Sequence, residues 1–167
     1  MANCTTLSPL ATDASLQWVC QGSWVHSCTP LHLACSPAAP SKGLVVFLPG
    51  TGLTPQDYSE LIGDFSLHGF HSLGLFYPSG EGQNGCDASR RPSPTDLNCT
   101  ARERRRVLTG ENVSAHTNVT RPDSIVNRVG KALSYLGAPW SGWSGRPSAR
   151  WASARGGRCP RWAPGVE

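Results

Sequence analysis

The longest uninterrupted apolar run at a strand-like position lies at residues 44–48 and stops at Pro49 and a Gly-Thr-Gly turn. A short continuous run of this kind is typical of a strand buried on both faces, as in a mostly parallel sheet. The turn would leave backbone N–H groups at the carboxyl edge of that sheet, where open α/β folds bind their ligands. The pattern therefore predicts a buried strand that carries a binding turn.

A helix and a second strand are predicted directly after this turn. Thr54 is a suitable N-cap, Pro55 fits the first helical position, and Asp57 falls in the first turn. Apolar residues then recur with helical spacing until Gly69, a natural terminator. Residues 72–77 form another apolar run. The order strand, helix, strand predicts a βαβ unit with a right-handed crossover.

Other parts of the chain predict two further helices and two short strands. A short helix is expected at residues 101–108, and a second, with a continuous apolar stripe, from Asp123 to about residue 136. Four arginines in the first helix predict a solvated face, because neither lysines nor aromatic residues accompany them as in a nucleic-acid patch. Near the N-terminus, residues 16–19 and 24–25 predict short edge strands.

The charge of the chain is concentrated in its last part. The net charge is +4, yet residues 1–136 hold 10 basic and 10 acidic side chains, while residues 137–167 hold five arginines and one glutamate. A nucleic-acid partner would have to be bound by that tail alone, and none is expected. The sequence implies no cofactor.

The cysteines and glycosylation acceptors favour an oxidising compartment. Seven cysteines accompany four Asn-x-Ser/Thr acceptors, of which those at Asn98, Asn112 and Asn118 are the candidates for glycans. Secretion or residence in the endoplasmic reticulum lumen is therefore favoured, although the N-terminus shows no signal peptide. Free thiols in a cytosolic chain are the alternative. No stretch is long enough to span a membrane.

The spacing of the cysteines suggests two disulfides and no metal site. Cys86 and Cys99 are the first candidates, since a loop separates them, and Cys20 with Cys28 is the next. No Cys-x-x-Cys pair is present, so a zinc ribbon is not predicted.

The composition changes after Gly137. Of the last 31 residues, 28 are Gly, Ala, Pro, Ser, Arg or Trp, without periodicity. These residue types, serine excepted, have mainly GC-rich codons, so a frameshift or an unspliced intron in a GC-rich gene would give this composition. We therefore expect a domain at residues 1–136 and a disordered tail at residues 137–167. The alternative is a genuine basic tail that binds acidic surfaces.

The middle of the chain resembles the front half of an α/β-hydrolase-like protein. The residues that carry the resemblance are the Phe-Leu-Pro-Gly-Thr-Gly strand and turn, the helix start at Pro55, and the segment 69–77. The similarity covers about residues 40–136. It implies a partial three-layer sandwich with an incomplete, mostly parallel sheet. It also implies that the turn lends N–H groups to an oxyanion hole, the residues concerned being Gly50, Thr51, Gly52 and Leu53.

The chain departs from this family at the catalytic residues. A Gly-x-Ser-x-Gly elbow is absent, and the nearest approach, around Ser144, ends in arginine instead of glycine. The family order places the catalytic histidine after the nucleophile, but the last histidine here is His116. We expect a truncated hydrolase-like chain whose lineage cleaves ester or acyl bonds and which is itself inactive, with no catalytic residues assigned. The alternative is a secreted, disulfide-containing glycoprotein or binding module without catalysis.

Overall fold

The protein has mixed α/β structure, as the sequence predicts. The structure, a computed structural model, describes residues 3–17, 31–79, 86 and 97–137. In chain order the elements are β1 (Asn3–Leu7), α1 (Pro9–Thr12), β2 (His32–Ser36), β3 (Leu44–Phe47), a 3-10 helix (Pro55–Tyr58), α2 (Ser59–Leu67), β4 (His71–Gly74), α3 (Cys99–Thr109) and α4 (Ile125–Leu136). Within these residues, none of the helices has both the length and the apolar character that a membrane span requires.

The four described strands form one sheet in the order β1-β2-β4-β3. β3 and β4 are parallel, with Leu44 opposite His71 and Phe47 opposite Gly74, which confirms a strand-helix-strand unit. β1 pairs antiparallel with β2, and β2 pairs antiparallel with β4. The expectation of a mostly parallel sheet is therefore wrong for the described strands. The sheet is mixed because the N-terminal region supplies two antiparallel strands.

Those two N-terminal strands do not lie where the sequence pattern placed them. Leu16 and Gln17 belong to no strand, and the rest of the predicted edge segments, residues 18–19 and 24–25, lies outside the described residues. β1 and β2 are instead joined by a disulfide between Cys4 and Cys35, which occupy paired positions of the ladder. This disulfide was not predicted from the sequence.

Helices cover both faces of the sheet. Along β2, Leu33 and Cys35 pack with Ile62 of α2, whereas Ala34 between them belongs to the cluster of α4. Successive strand residues point to opposite faces, so α2 and α4 lie on opposite sides. The core on the α4 side contains Leu7, Ala34, Leu73, Leu75, Ala132 and Leu133.

β3 is less buried than its apolar sequence suggests. All four of its residues are half-buried, and Leu48, expected to extend the strand, lies beyond its end and is 41% exposed. The prediction of a strand buried on both faces is therefore wrong. The physical reason is its position, because β3 ends the described sheet and no described strand pairs with its outer edge.

Local signals fix both ends of the crossover between β3 and β4. The backbone N–H and the hydroxyl of Thr54 donate to Asp57 Oδ2 at 2.7 and 2.8 Å, as expected of a residue at a helix start. Gly69, after the end of α2, has φ of 92°, a conformation that favours glycine. Of the predicted apolar face, Ile62 is buried, while Leu61 is 43% exposed.

The crossover approaches β4 closely because residue 74 has no side chain. A Cβ atom at Gly74 would lie 2.5 Å from Ile62 Cδ1 and 2.9 Å from Pro55 Cβ. Both distances are shorter than real Cβ contacts. Glycine at this position therefore lets the start of the crossover and the middle of α2 contact the same point of the sheet.

The two C-terminal helices agree with the sequence pattern within two residues. Ser124 caps α4, with its Oγ accepting a hydrogen bond from the N–H of Asn127 at 3.3 Å. Gly110 ends α3 with φ of 74°, and Gly137 follows α4. The tail from residue 138 lies outside the described residues, so the expectation of disorder there stays a prediction.

Candidate functional site

The turn that follows β3 is a closed four-residue turn. The N–H of Leu53 donates to the carbonyl oxygen of Gly50 at 3.1 Å, and Gly52 has φ of 72°. Since Thr51 has a negative φ, these features match a type II turn. The N–H of Leu53 is used inside the turn. Within the described part of the chain, only the N–H groups of Thr51 and Gly52 among the expected donors have no acceptor.

Contacts with the segment after β4 hold this turn at the carboxyl edge of the parallel pair. The hydroxyl of Tyr77 donates to the carbonyl oxygen of Pro49 at 2.8 Å, and the N–H of Leu75 donates to that of Phe47 at 3.0 Å. Burial raises the pKa of Tyr77, so the phenol keeps its proton. Gly50, Thr51 and Leu53 are exposed, so solvent reaches the turn.

A buried guanidinium joins α4 to the same edge of the sheet. Arg128 is fully buried; its Nη2 lies 2.9 Å from Asp123 Oδ1, and its Nε donates to the carbonyl oxygen of Asp123 at 3.0 Å. Its Nη1 reaches the carbonyl oxygen of Phe76, at 3.4 Å. The Asp123 carboxylate also accepts from the N–H of Gln17 and the hydroxyl of Thr120. Because every partner is paired, removing one would leave a buried charge uncompensated.

A second carboxylate, Asp13, ties the N-terminal segment to α4. Asp13 Oδ1 accepts from the hydroxyl and N–H of Ser15, and Oδ2 accepts from Asn127 Nδ2 at 3.0 Å. The Ser15 hydroxyl contributes most to lowering the pKa of Asp13 to about 2, although burial opposes the shift. The carboxylate therefore remains charged in the folded chain at all but strongly acidic pH.

His32 is the histidine that lies nearest to this network, and it is held neutral. Its Nδ1 accepts a hydrogen bond from the N–H of Phe76 at 2.9 Å, which places the ring proton on Nε2. Burial, and then the positive charge of Arg128, lower the pKa of His32 to about 3. Nε2 is buried and has no hydrogen-bond partner among the described residues. With Nδ1 occupied and Nε2 enclosed, His32 is not placed to act as a general base for a nucleophile.

The Cys86–Cys99 disulfide predicted from the sequence is present, with 5.6 Å between the two Cα atoms. Both cysteines are buried, and an imidazole nitrogen of His116 lies within 4.8 Å of their sulfur atoms. The other predicted pair, Cys20 and Cys28, lies outside the described residues. Two disulfides are consistent with an oxidising environment.

The three candidate glycosylation sites are all at the surface. Asn98, Asn112 and Asn118 are exposed. Asn112 Oδ1 accepts a hydrogen bond from Arg106 Nη1 at 2.6 Å. Arg106 differs from the solvated arginines expected in α3, because it is half-buried and binds loop oxygens. The other three, Arg102, Arg104 and Arg105, are exposed as expected.

Sequence reasoning missed the buried groups at the carboxyl edge, namely His32, Asp123 and Arg128. The available signal was Arg128 inside an otherwise apolar helical stripe, since a buried charge needs a partner. Its partners Phe76 and Asp123 could be identified only from the fold, because hydrogen bonds at this edge join residues up to 106 positions apart.

Comparison with known proteins identifies no relative. A scan against protein-family models, a search of curated proteins and a search of solved structures each return no match for the chain. Its function is therefore inferred from the chemistry of the described residues.

Protonation of His32 is expected to make the protein less stable in acid. The unfolded chain binds this proton below pH 6.5, whereas the folded chain resists it down to about pH 3. The free energy of unfolding should therefore fall by up to about 1.4 kcal/mol per pH unit as pH falls through this window. Urea titrations from pH 8 to pH 3 measure the slope. His32→Asn, whose Oδ1 can replace Nδ1 as acceptor, should flatten it; an unchanged slope would contradict the account.

Proposed function

We propose that the described residues are the front half of an α/β-hydrolase-like domain, and that the turn after β3 is its oxyanion-binding element. The lineage activity is hydrolysis of ester or acyl bonds by a serine nucleophile, and the chain as given lacks it. The observation that carries the proposal is the turn itself, which presents the N–H groups of Thr51 and Gly52 at the carboxyl edge of a parallel β3-α2-β4 unit.

The position and exposure of β3 support this proposal. An apolar strand that is only half-buried, with no described strand at its outer edge, fits a sheet that continues beyond the described residues. Helices on both faces, α2 and α4, fit the same architecture. A longer sheet would place the turn in its interior, where backbone donors are shielded from water and stabilise negative charge more strongly.

The lack of activity follows from the catalytic groups. The sequence contains no Gly-x-Ser-x-Gly elbow, so no serine is presented on a strained turn beside the two N–H groups. His32 is buried, neutral and already accepts from Phe76. A pair of fixed donors can bind an anion, but without a nucleophile and a base it does not cleave a substrate.

The test is an esterase assay coupled to an anion titration. The purified chain should hydrolyse p-nitrophenyl acetate no faster than its Thr51→Pro variant. Proline fits the second position of a type II turn, so this variant keeps the turn and removes one N–H donor. In ¹⁵N-labelled chain, methylphosphonate should shift the Gly52 amide resonance saturably, and Thr51→Pro should weaken that binding several-fold.

Two outcomes would contradict the proposal. Ester turnover by the chain that exceeds the turnover by Thr51→Pro would show a functional nucleophile, and the lack of activity would be refuted. Equal binding of methylphosphonate by both proteins, or no saturable shift at Gly52, would refute the assignment of the turn as an oxyanion site. Gly50→Ala is the matched control, since its Cβ would meet only atoms 3.8 Å away and both N–H groups remain.

A second candidate function is that of a secreted, non-catalytic glycoprotein or binding module. The observations that favour it are two disulfides and three exposed acceptor asparagines in the described residues. In this case the fold is a disulfide-stabilised scaffold, and the turn has no catalytic ancestry to preserve.

Mass spectrometry separates this candidate from a cytosolic chain. Behind a heterologous signal peptide in eukaryotic cells, the chain should be secreted with glycans at Asn98, Asn112 and Asn118. Thr100→Ala and Thr120→Ala each remove one acceptor without changing an asparagine, so each should lose one glycan. Secreted, disulfide-bonded chain with all three asparagines unmodified would refute the glycoprotein.

A further inference from the structure

A cluster of possible metal ligands lies at the start of α3, away from the turn after β3. The sulfur atoms of Cys86 and Cys99 and an imidazole nitrogen of His116 all lie within 4.8 Å of one another. The three residues are 13 and 17 positions apart in sequence, so no short motif announces them. This explains why the sequence did not predict a metal site. Thiolates and an imidazole are the ligands that zinc prefers.

Arg106 places His116 over α3. Its Nε donates to the carbonyl oxygen of Val119 at 3.1 Å, and its Nη1 donates to Asn112 Oδ1 and to the carbonyl oxygen of Ser114. The loop that follows α3 is therefore bound back to the helix on both sides of His116. This loop does not depend on the disulfide alone for its position, because side-chain hydrogen bonds hold it as well.

A buried carboxylate lies beside the three ligands. Glu103 follows Cys99 by one helical turn, so both side chains lie on the same face of α3. Glu103 is 1% exposed, and neither of its carboxylate oxygens has a hydrogen-bond partner within the described residues. Burial raises the pKa of Glu103, while the charges of His116 and Arg104 oppose this shift. A buried carboxyl without a partner is costly, and a cation would supply the partner.

We propose that Cys86, Cys99, His116 and Glu103 form a zinc site when the Cys86–Cys99 disulfide is reduced. Two thiolates, one imidazole and one carboxylate give the four ligands of a tetrahedral site. With Zn–S bonds of about 2.3 Å, the two sulfur atoms must stand roughly 3.8 Å apart. Opening the disulfide allows this separation, and the other ligand atom already lies within 4.8 Å.

The same two cysteines thus have two exclusive states, set by the redox potential of the compartment. A phosphine reductant and one water convert the disulfide into two thiols and a phosphine oxide, with transfer of two electrons. A dithiol does the same and itself becomes a disulfide. Zinc then displaces the two thiol protons, which are released to solvent. In an oxidising compartment the disulfide holds this part of the fold, and in a reducing compartment the metal replaces it.

The experiment measures zinc binding by the full chain in which the remaining thiols Cys20, Cys28 and Cys159 are replaced by serine. After reduction with a phosphine, competition against a chromogenic chelator should show a single Zn²⁺ bound, with release of thiol protons. Cobalt in its place should give the thiolate charge-transfer absorption of a tetrahedral site. The oxidised chain should bind neither metal at this site.

Variants of the ligands test the assignment. His116→Ala and Glu103→Gln should each lower zinc affinity by more than the roughly 10-fold to 100-fold effect of an outer-shell partner. Cys99→Ser should abolish the cobalt charge-transfer absorption. Cys4→Ser is the matched control, since it breaks the other cysteine pair, near which the described residues place no third ligand, and it should leave zinc affinity unchanged.

Three results would overturn the proposal. Equal zinc affinity of the oxidised and reduced chains would exclude the two sulfur atoms as ligands. Unchanged affinity in His116→Ala, a surface-loop change that leaves the thiols in place, would exclude the cluster. Unchanged affinity in Glu103→Gln would remove Glu103 from the ligand set. Circular dichroism of each variant verifies that it is folded, and none of these readouts depends on esterase activity or on the turn after β3.

Discussion

The close approach of α2 to the sheet at Gly74 is the constraint on which the rest of the structure depends. Two parts of the crossover, Pro55 at its start and Ile62 in its middle, reach the same residue of β4, and neither would fit beside a Cβ atom. Pro55 comes two residues after the turn that ends at Leu53. The packing at Gly74 therefore sets not only how deeply α2 lies on the sheet but also where the candidate binding turn stands.

The opposite face of the sheet secures the same edge by polar means. Arg128 of α4 binds Asp123 and the carbonyl oxygen of Phe76, and His32 accepts from the N–H of the same Phe76. Phe76 is thus bound through both of its backbone polar groups, next to Tyr77, whose hydroxyl holds Pro49. An apolar contact on one side and a satisfied polar network on the other fix the carboxyl edge. The turn inherits its position from both.

Much of the fold could be predicted where the signal is local. β3, the start of the crossover at Thr54, β4 and α4 carry their own caps, terminators or apolar periodicity. β1 and β2 carry none of these. Their sequences, NCTTL and HLACS, are short and partly polar, and they become strands through pairing with distant partners. Tertiary pairing outweighs propensity in such segments.

The candidate sites divide in the same way. The turn could be predicted because proline and two glycines mark it in sequence, although the use of the Leu53 N–H inside the turn could not. The Cys86–Cys99 pair followed from loop spacing. The neighbours that give each site its chemistry could not be predicted, since His32 meets Phe76 across 44 residues and His116 meets Cys86 only through folding.

The most direct measurement of the central claim is the stability of Gly74→Ala compared with that of Gly130→Ala. The Cβ at position 74 would overlap Ile62 and Pro55, whereas that at position 130, on α4, would meet nothing within 4 Å. Urea unfolding should show Gly74→Ala destabilised by roughly 1–3 kcal/mol, as overpacking predicts. Gly130→Ala should be stabilised by up to about 1 kcal/mol through helix propensity. A Gly74→Ala variant as stable as the unchanged protein would contradict the account.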